Sequence, residues 1–339
     1  MEKILTIVVP TYNAEKYLKD NLESLCITEV MQDIQVLIIN DGSIDGSLDI
    51  AEKYTMKYPE TFHVISKENG GHGSGINCGI QAANGKYFKV VDADDWVEKQ
   101  AFINLVQFLK STDSDIVYSG FYWVFDRGQG NPAEFERKVE MKEPFSGVIY
   151  KKEYQFDEIA DVAYIKMHNM AVKTEILFKN RIVIDEHCYY VDTEYISYPI
   201  PYVKTVSFLP DFVYYYRIGS QGQSVGISKM QQYEANYDKV LESLFVFYKQ
   251  LGAEIPCTAE KRHYIARLIA RVVAGKVKIM LSFPKTKEKK EQMIKFDNLI
   301  KMDYPEIYNN NINKAIRILR MTNFAAYVPM NILVKRKYG

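Results

Sequence analysis

Three carboxylates fall within four positions at Asp92-Ala93-Asp94-Asp95, directly after the strand-like run Lys86-Tyr87-Phe88-Lys89-Val90-Val91. Carboxylates crowded at a strand's end repel one another and cost free energy unless a cation sits among them. Hard oxygen donors in this arrangement suit Mg²⁺ or Mn²⁺, which typically takes one or two carboxylates together with substrate phosphates. The same four residues also fit a solvated acidic turn that caps the next helix, because Asp is a favoured N-cap. The company they keep separates the two readings.

The first 120 residues alternate strand and helix. Ile4–Val9, Val36–Ile39, Phe62–Ser66 and Tyr87–Val91 read as strands, and Ile116–Phe121 resumes that character. Between them, Ala14–Leu25 carries Tyr17, Leu18, Leu22 and Leu25 at helical spacing, and helices are also expected over Ser47–Tyr58, from Asn69-Gly70-Gly71 to about Ala83, and over Ala101–Leu109. The continuous apolar run at the start is typical of a parallel strand covered on both faces. Strand alternating with helix predicts a doubly wound α/β sheet, whose ligands bind outside the carboxyl ends of the strands. Pro10-Thr11-Tyr12-Asn13, Asp41-Gly42-Ser43, Glu68-Asn69 and Asp92–Asp95 all follow strands, so four polar clusters converge on one edge. That convergence favours a site over a solvated turn. Gly71-His72-Gly73-Ser74-Gly75 misses the dinucleotide-binding register, and no Walker A sequence is present.

The pattern weakens from Phe125 to Lys152, where Arg127-Gly128-Gln129-Gly130-Asn131-Pro132 suggests a long loop or a hairpin insertion. Short β-rich runs return at Val203–Leu209 and Phe212–Arg217. From Ser228 onward the chain reads as helical, with Met230, Tyr233, Tyr237, Val240, Leu241, Leu244, Phe245 and Tyr248 at 3–4 spacing and Thr258 placed to cap a second helix. A boundary near residue 225 therefore separates an α/β domain over 1–225, with halves 1–120 and 121–225, from a helical region over 226–339.

In order and spacing, Pro10–Asn13, Asn40-Asp41-Gly42-Ser43, Asn69-Gly70-Gly71, Asp92–Asp95 and Tyr190-Val191-Asp192-Thr193-Glu194 closely resemble family 2 glycosyltransferases of the GT-A type. The resemblance spans about residues 3–220. It implies a GT-A fold and inverting, Mn²⁺- or Mg²⁺-dependent sugar transfer from a nucleotide-sugar, most simply a UDP-sugar. Tyr12 would stack on the donor's base, with Pro10, Asn13, Asn69 and Gly71 beside it, and Asp41 would hydrogen-bond the base edge. Asp92, with Ala93, would hold the ribose or the sugar, and Asp94 with Asp95 would bind the metal. Asp192 matches the family's catalytic base, with Glu194 two residues away as the alternative.

Two departures stand out. Many relatives place an Arg before the Asn of the Gly-Gly helix, where this chain has Gly75-Ile76-Asn77. His72 opens that helix instead, facing the diphosphate or sugar or else serving as a cap. His168-Asn169 stands where relatives often carry Trp-Asn, which makes His168 an acceptor-side or diphosphate-side candidate, or a packed strand histidine. Arg217 precedes Gly219-Ser220-Gln221-Gly222-Gln223-Ser224, a composition that suits a lid closing over the nucleotide or a plain linker.

Zero formal net charge argues against a nucleic-acid partner. From Ile307 to Gly339 there is no Asp or Glu, whereas Lys314, Arg317, Arg320, Lys335, Arg336 and Lys337 are basic. Such an end suits an anionic membrane surface, or else a helix packed on the core with its cations solvated. Four dispersed cysteines without a CxxC pair, no signal peptide and no membrane-spanning run predict a cytoplasmic protein, at most peripheral on the inner face of the cell membrane. A glycan or polyprenyl-linked acceptor in bacterial surface polysaccharide assembly follows from the resemblance. A non-catalytic nucleotide-sugar-binding subunit and a sugar nucleotidyltransferase are the competing classes.

Overall fold

The structure is a computed structural model and describes residues 3–126, 135–139, 147–219 and 227–338. Two compact units divide the chain, Met1–Gln221 and Gly222–Gly339.

The first unit begins β1 (Lys3–Thr11), α1 (Glu15–Leu25), β2 (Ile34–Asp41), α2 (Ser47–Lys57), β3 (Phe62–Lys67), α3 (His72–Ala82) and β4 (Gly85–Val90). Then come β5 (Trp96–Val97), α4 (Lys99–Ser111), β6 (Ile116–Phe125), β7 (Glu136–Val139) and β8 (Glu153–Gln155). It closes with α5 (Phe156–Ile159), β9 (Met170–Lys173), α6 (Thr174–Lys179), α7 (Asp192–Ser197) and β10 (Thr205–Ile218). The apolar runs form strands because helices cover both faces of the sheet: every residue of β2 is buried. Burying each Leu, Ile or Phe stabilises by roughly 1.5–3 kcal/mol, far more than any strand propensity. Leu18, Leu22 and Leu25 put the apolar stripe of α1 into this core.

Sheet order is β3-β2-β1-β4-β9-β6-β10-β5, with β7 beside β6 and β8 beside β10. The first four strands are mutually parallel. β9 runs against both β4 and β6, and β10 runs with β6. Two reversals cancel, so β6 and β10 end on the same edge as β1–β4. This mixed, doubly wound sheet is the GT-A architecture expected.

Two sequence runs prove to be one strand. β10 takes in most of Val203–Leu209, from Thr205, and all of Phe212–Arg217, and its pairing with β6 shifts register between Phe208 and Phe212 and again between Phe212 and Tyr214. Pro210, which has no N–H to give, lies within the irregularity. β6 continues to Phe125 and pairs antiparallel with β7, while the Gly-rich residues 127–132 lie outside the described residues.

The second unit comprises α8 (Ile227–Gln232), α9 (Glu234–Gln250), α10 (Ala259–Ser282), α11 (Lys287–Asp303), α12 (Pro305–Asn309), α13 (Lys314–Met321) and α14 (Tyr327–Tyr338). The expected first helix is interrupted at Tyr233, which leaves helical geometry (φ −106°, ψ 27°). Thr258 does cap α10, its hydroxyl accepting from the Lys261 N–H. Ile316, Leu319, Phe324, Tyr327 and Val334 join Val277, Met280, Leu281 and Met293 in one core. Arg320 is bound by Asp297 at 2.7 to 3.2 Å. Most apolar positions of the basic segment are thus committed to packing within this unit. Among the described residues no helix is long and apolar enough to cross a membrane.

Candidate active site

At the end of β2, Asp41 is 3% exposed and accepts from three donors of its own chain. Oδ1 takes Lys67 Nζ at 2.8 Å and the Gly70 N–H at 2.9 Å, and Oδ2 takes the Gly71 N–H at 2.7 Å. Asn69 Nδ2 donates to the Asp41 carbonyl at 2.9 Å. Gly71 holds φ +84°, a left-handed value that a side chain would strain, and this is what lets consecutive N–H groups reach one carboxylate. Asn13 performs a similar office nearby, donating its N–H to Ser43 and accepting from the Ile44 N–H. Tyr12 is 53% exposed beside this corner. A cavity of about 430 Å³, walled by Lys67, Asn69, Gly70, Ser74, Asn77 and Glu186 among others, opens on the flank of α3.

The turn after β4 is held from beneath. Asn21 of α1 donates to the carbonyls of Asp92 and Asp95, both at 2.9 Å. Tyr214 of β10 donates its hydroxyl to Asp95 Oδ2 at 2.5 Å and accepts the Asp92 N–H at 3.1 Å. Asp95 Oδ1 accepts the Arg217 N–H at 2.7 Å. Arg217, 3% exposed, donates from Nε to the Asp94 carbonyl at 2.7 Å and pairs with Asp126 at 2.9 Å, its guanidinium lying over Tyr17 and Trp96. Ala93 is buried between these anchors, whereas Asp92 and Asp94 are half-buried.

His72, the first residue of α3, lies with Nε2 2.8 Å from Asp92 Oδ1. Burial alone would lower its pKa, but the charge and hydrogen bond of Asp92, helped by Asp192 and Asp94, raise it to about 9. His72 is therefore a cation at neutral pH. Against the cost of burial it holds the Asp92 carboxyl below its ordinary range. Burial and repulsion from Asp94 and Asp92 push Asp95 well up, against its hydrogen bonds from Tyr214 and Arg217. Desolvation also raises Asp192, opposed by His72 and reinforced by Asp92, although its side chain reaches solvent. His168 is packed between Tyr216 (4.4 Å between centroids), Tyr214 and Phe121, and burial drives its pKa down to about 3. It is neutral, and its Nδ1 is buried without a hydrogen-bond partner. Among the described residues Asp92, Asp95 and His168 each offer one ligand atom, all within 4.8 Å of one another. Two carboxylate oxygens and an imidazole nitrogen this close together are a donor set that a divalent ion such as Mn²⁺ fits.

Backbone contacts join α3 to the segment before α7. His187 N–H donates to the Gly70 carbonyl at 2.5 Å, and Asn77 bonds both the carbonyl and the N–H of Ile184 at 2.8 Å. A Cβ on Gly73 would lie 2.1 Å from the Asp185 carbonyl oxygen, so only glycine permits the approach. Glu194 is fully buried and accepts the Asp185 N–H at 2.8 Å, while Asp192, at the start of α7, is exposed. Of the two candidate bases, one serves the interior and one faces solvent.

Comparison with known proteins places the chain in a family and a fold. The sequence profile of glycosyl transferase family 2 matches residues 6–176, half of the chain. The chain belongs to glycosyl transferase family 2. It is 27% identical over 300 residues to the uncharacterized glycosyltransferase EpsJ of Bacillus subtilis (strain 168), covering 88% of this chain and 85% of that protein. It is 28% identical over 254 residues to the minor teichoic acid biosynthesis protein GgaB of the same organism, covering 73% of this chain and 26% of that protein. The crystal structure of S. aureus TarS 1–349 in complex with UDP-GlcNAc shares the fold, with TM-score 0.67, 21% identity and coverage of 99% and 91%. The mannosyltransferase PcManGT from Pyrobaculum calidifontis, in complex with GDP-Man and Mn²⁺, aligns at TM-score 0.52 and 14% identity, covering 99% of this chain and 87% of that one.

In this family 2 glycosyltransferase, then, His72, Asp92, Asp94, Asp95, His168 and Asp192 are drawn together. Pro10, Tyr12, Asn13, Asp41, Asn69 and Gly71 form the neighbouring corner. Arg217 and Glu194 lie inside the protein, and residues 220–226 of the expected lid lie outside the described residues. Sequence reasoning missed Lys67, Lys89, Tyr214 and Tyr216. Lys89 is fully buried in β4, donates to the His168 carbonyl at 2.6 Å and is driven by burial to a pKa of about 7. A lysine inside an apolar parallel strand was the available signal. For the tyrosines it was period-two alternation, which sends Tyr214 and Tyr216 to one face of β10.

Proposed function

We propose that this glycosyltransferase moves a sugar from a UDP-sugar, with inversion, to a glycan or polyprenyl-linked acceptor in assembly of a bacterial surface polysaccharide. The observation that carries the reading is the meeting of His72, Asp92, Asp94 and Asp192 at the common C-terminal edge of β1–β4, β6 and β10. The relatives support the donor and acceptor classes: TarS was crystallised with UDP-GlcNAc, and GgaB is named for teichoic acid biosynthesis. In this reading residues 1–120 form the donor half of the site and 121–225 its acceptor half.

In this reading Tyr12 stacks on the base, and the remaining acceptor position of Asp41 takes a uracil N–H. Asp92 and Ala93 border the ribose and sugar. Asp94, Asp95 and His168, together with Asp92, are the residues that would hold Mn²⁺ or Mg²⁺. When bound, the ion stabilises the negative charge that develops on the departing diphosphate. His72 supplies the positive charge that the missing helix arginine would bring. Asp192 takes the proton of the acceptor hydroxyl as that oxygen attacks the anomeric carbon and the bond to the diphosphate oxygen breaks. A single displacement of this kind inverts the anomeric centre. Nucleotide-sugars are cytoplasmic, so transfer to a lipid-linked acceptor takes place at the inner face of the cell membrane.

A thermal-shift screen of nucleotide-sugars with Mn²⁺, coupled to an assay for released UDP, tests this. Selective stabilisation by one donor, lost in Asp94→Ala, is the expected result. Release of pyrophosphate instead of UDP would turn the assignment to a nucleotidyltransferase, and absence of any donor response would leave the enzyme reading without support.

A further inference from the structure

The sequence suggests a basic amphipathic tail, yet Ile316, Leu319 and Phe324 are buried in the core of the second unit. What remains outside is a different set. On α13, Lys314, Arg317, Ile318 and Met321 share one face at helical spacing, and all four are exposed. On α14, Val328, Ile332, Lys335 and Arg336 share a face with Leu333 beside it, again all exposed. Met321 is 82% exposed, Ile312 just before α13 is 78% exposed, and Leu333 is 56% exposed. Arg320, the one basic residue of α13 turned inward, is consumed by Asp297 and lies over Tyr308. From Ile307 to Gly339 the sequence carries no Asp or Glu beside these four exposed cations.

We propose that these outward faces of α13 and α14 form a docking surface for an anionic lipid bilayer. Large apolar side chains held in water beside lysine and arginine are what an interfacial helix presents to headgroups and acyl boundary together. A second copy of the chain is a poor occupant, because an isologous contact would set these cations against themselves. Nucleic acid would satisfy the charges and leave Met321, Ile312 and Leu333 uncovered. The surface extends the placement at the membrane and is independent of the donor chemistry.

Co-sedimentation of the full chain with vesicles tests it, comparing phosphatidylcholine alone with phosphatidylcholine containing about 30% phosphatidylglycerol. The protein is expected to pellet with the anionic vesicles only, and to be released when salt is raised from about 0.1 to about 0.5 M. Lys314→Ser with Arg317→Ser should weaken partition roughly tenfold or more. Ile312→Ser with Leu333→Ser should weaken it at both salt concentrations. Thermal midpoints check that each variant folds, and the single changes Arg317→Ser and Ile312→Ser serve if a pair does not. Failure to pellet, equal pelleting with neutral vesicles, or indifference to both pairs would overturn the proposal. UDP release is measured without vesicles, so release without pelleting removes the docking surface alone, and pelleting without release removes the transferase reading alone.

Discussion

Two carboxylate corners stand on one sheet edge and are built to opposite ends. At the end of β2, Asp41 is surrounded by donors of its own chain, two glycine N–H groups and Lys67, and is almost sealed from water. At the end of β4 the backbone of the turn is pinned by Asn21, Tyr214 and Arg217, whereas Asp92 and Asp94 stay partly open. Only Asp95 in that turn is treated as Asp41 is, with an own-chain donor on each oxygen. A buried carboxylate supplied with donors sets geometry. Carboxylates left half-open and close to one another, with the cationic His72 against Asp92, favour further positive charge.

This contrast can be attacked at several points. Asp192→Asn should lower kcat by about a thousandfold while the donor still raises the thermal midpoint, since only proton removal is lost. If donor stabilisation vanished too, Asp192 would belong to the binding corner. Asp94→Ala should cost roughly a hundredfold in Mn²⁺-dependent donor affinity, read by titration calorimetry, with little change in stability without donor. Asp41→Ala should do the reverse in emphasis, destabilising by about 2 kcal/mol in urea unfolding because the buried Gly70 N–H and the part-buried Gly71 N–H lose their acceptor. An unchanged midpoint there would erase the distinction between the corners. Tyr214→Phe should cost about 1 kcal/mol and loosen Mn²⁺-dependent donor binding a few-fold, linking the buried support to the open site.

The gentlest test is a pH comparison. Burial lowers Lys89 to a pKa of about 7 in the folded protein, against about 10.4 when exposed. Between those values the unfolded chain binds the extra proton, so stability rises with pH there. Relative to Lys89→Met, wild-type stability should climb by at most about 1.4 kcal/mol per pH unit across that window, and be flat below it. Parallel curves would mean that Lys89 is not held in the dry environment seen here.

The first four strands were legible because each is a mostly apolar run followed within four residues by a polar cluster, and because α/β order leaves their ligand edge no choice. β9 was not, since four residues carry no readable period and its place between β4 and β6 is fixed by partners far along the chain. The site shows the same division. Spacing picked out Asp92, Asp94 and Asp95, but could not tell which would face inward. That is settled by Tyr214 and Arg217, 119 and 122 residues away from Asp95. Arg217 read as a lid residue because it borders a Gly-rich loop, and its aromatic bed of Tyr17 and Trp96 comes from two other parts of the chain. His72 was visible as an oddity. Its charge became visible only with Asp92 beside it.

The contact of Gly73 with the Asp185 carbonyl has a consequence for how such an enzyme can change. Main chain approaches main chain there, so at that point the separation between the start of α3 and the segment before α7 is fixed by backbone, with the Asn77 side chain bonded to Ile184 beside it. Loops around the acceptor can drift through many sequences while that length stays constant. In the proposed mechanism, a lineage built on this chassis could change its acceptor while the base kept its distance from α3.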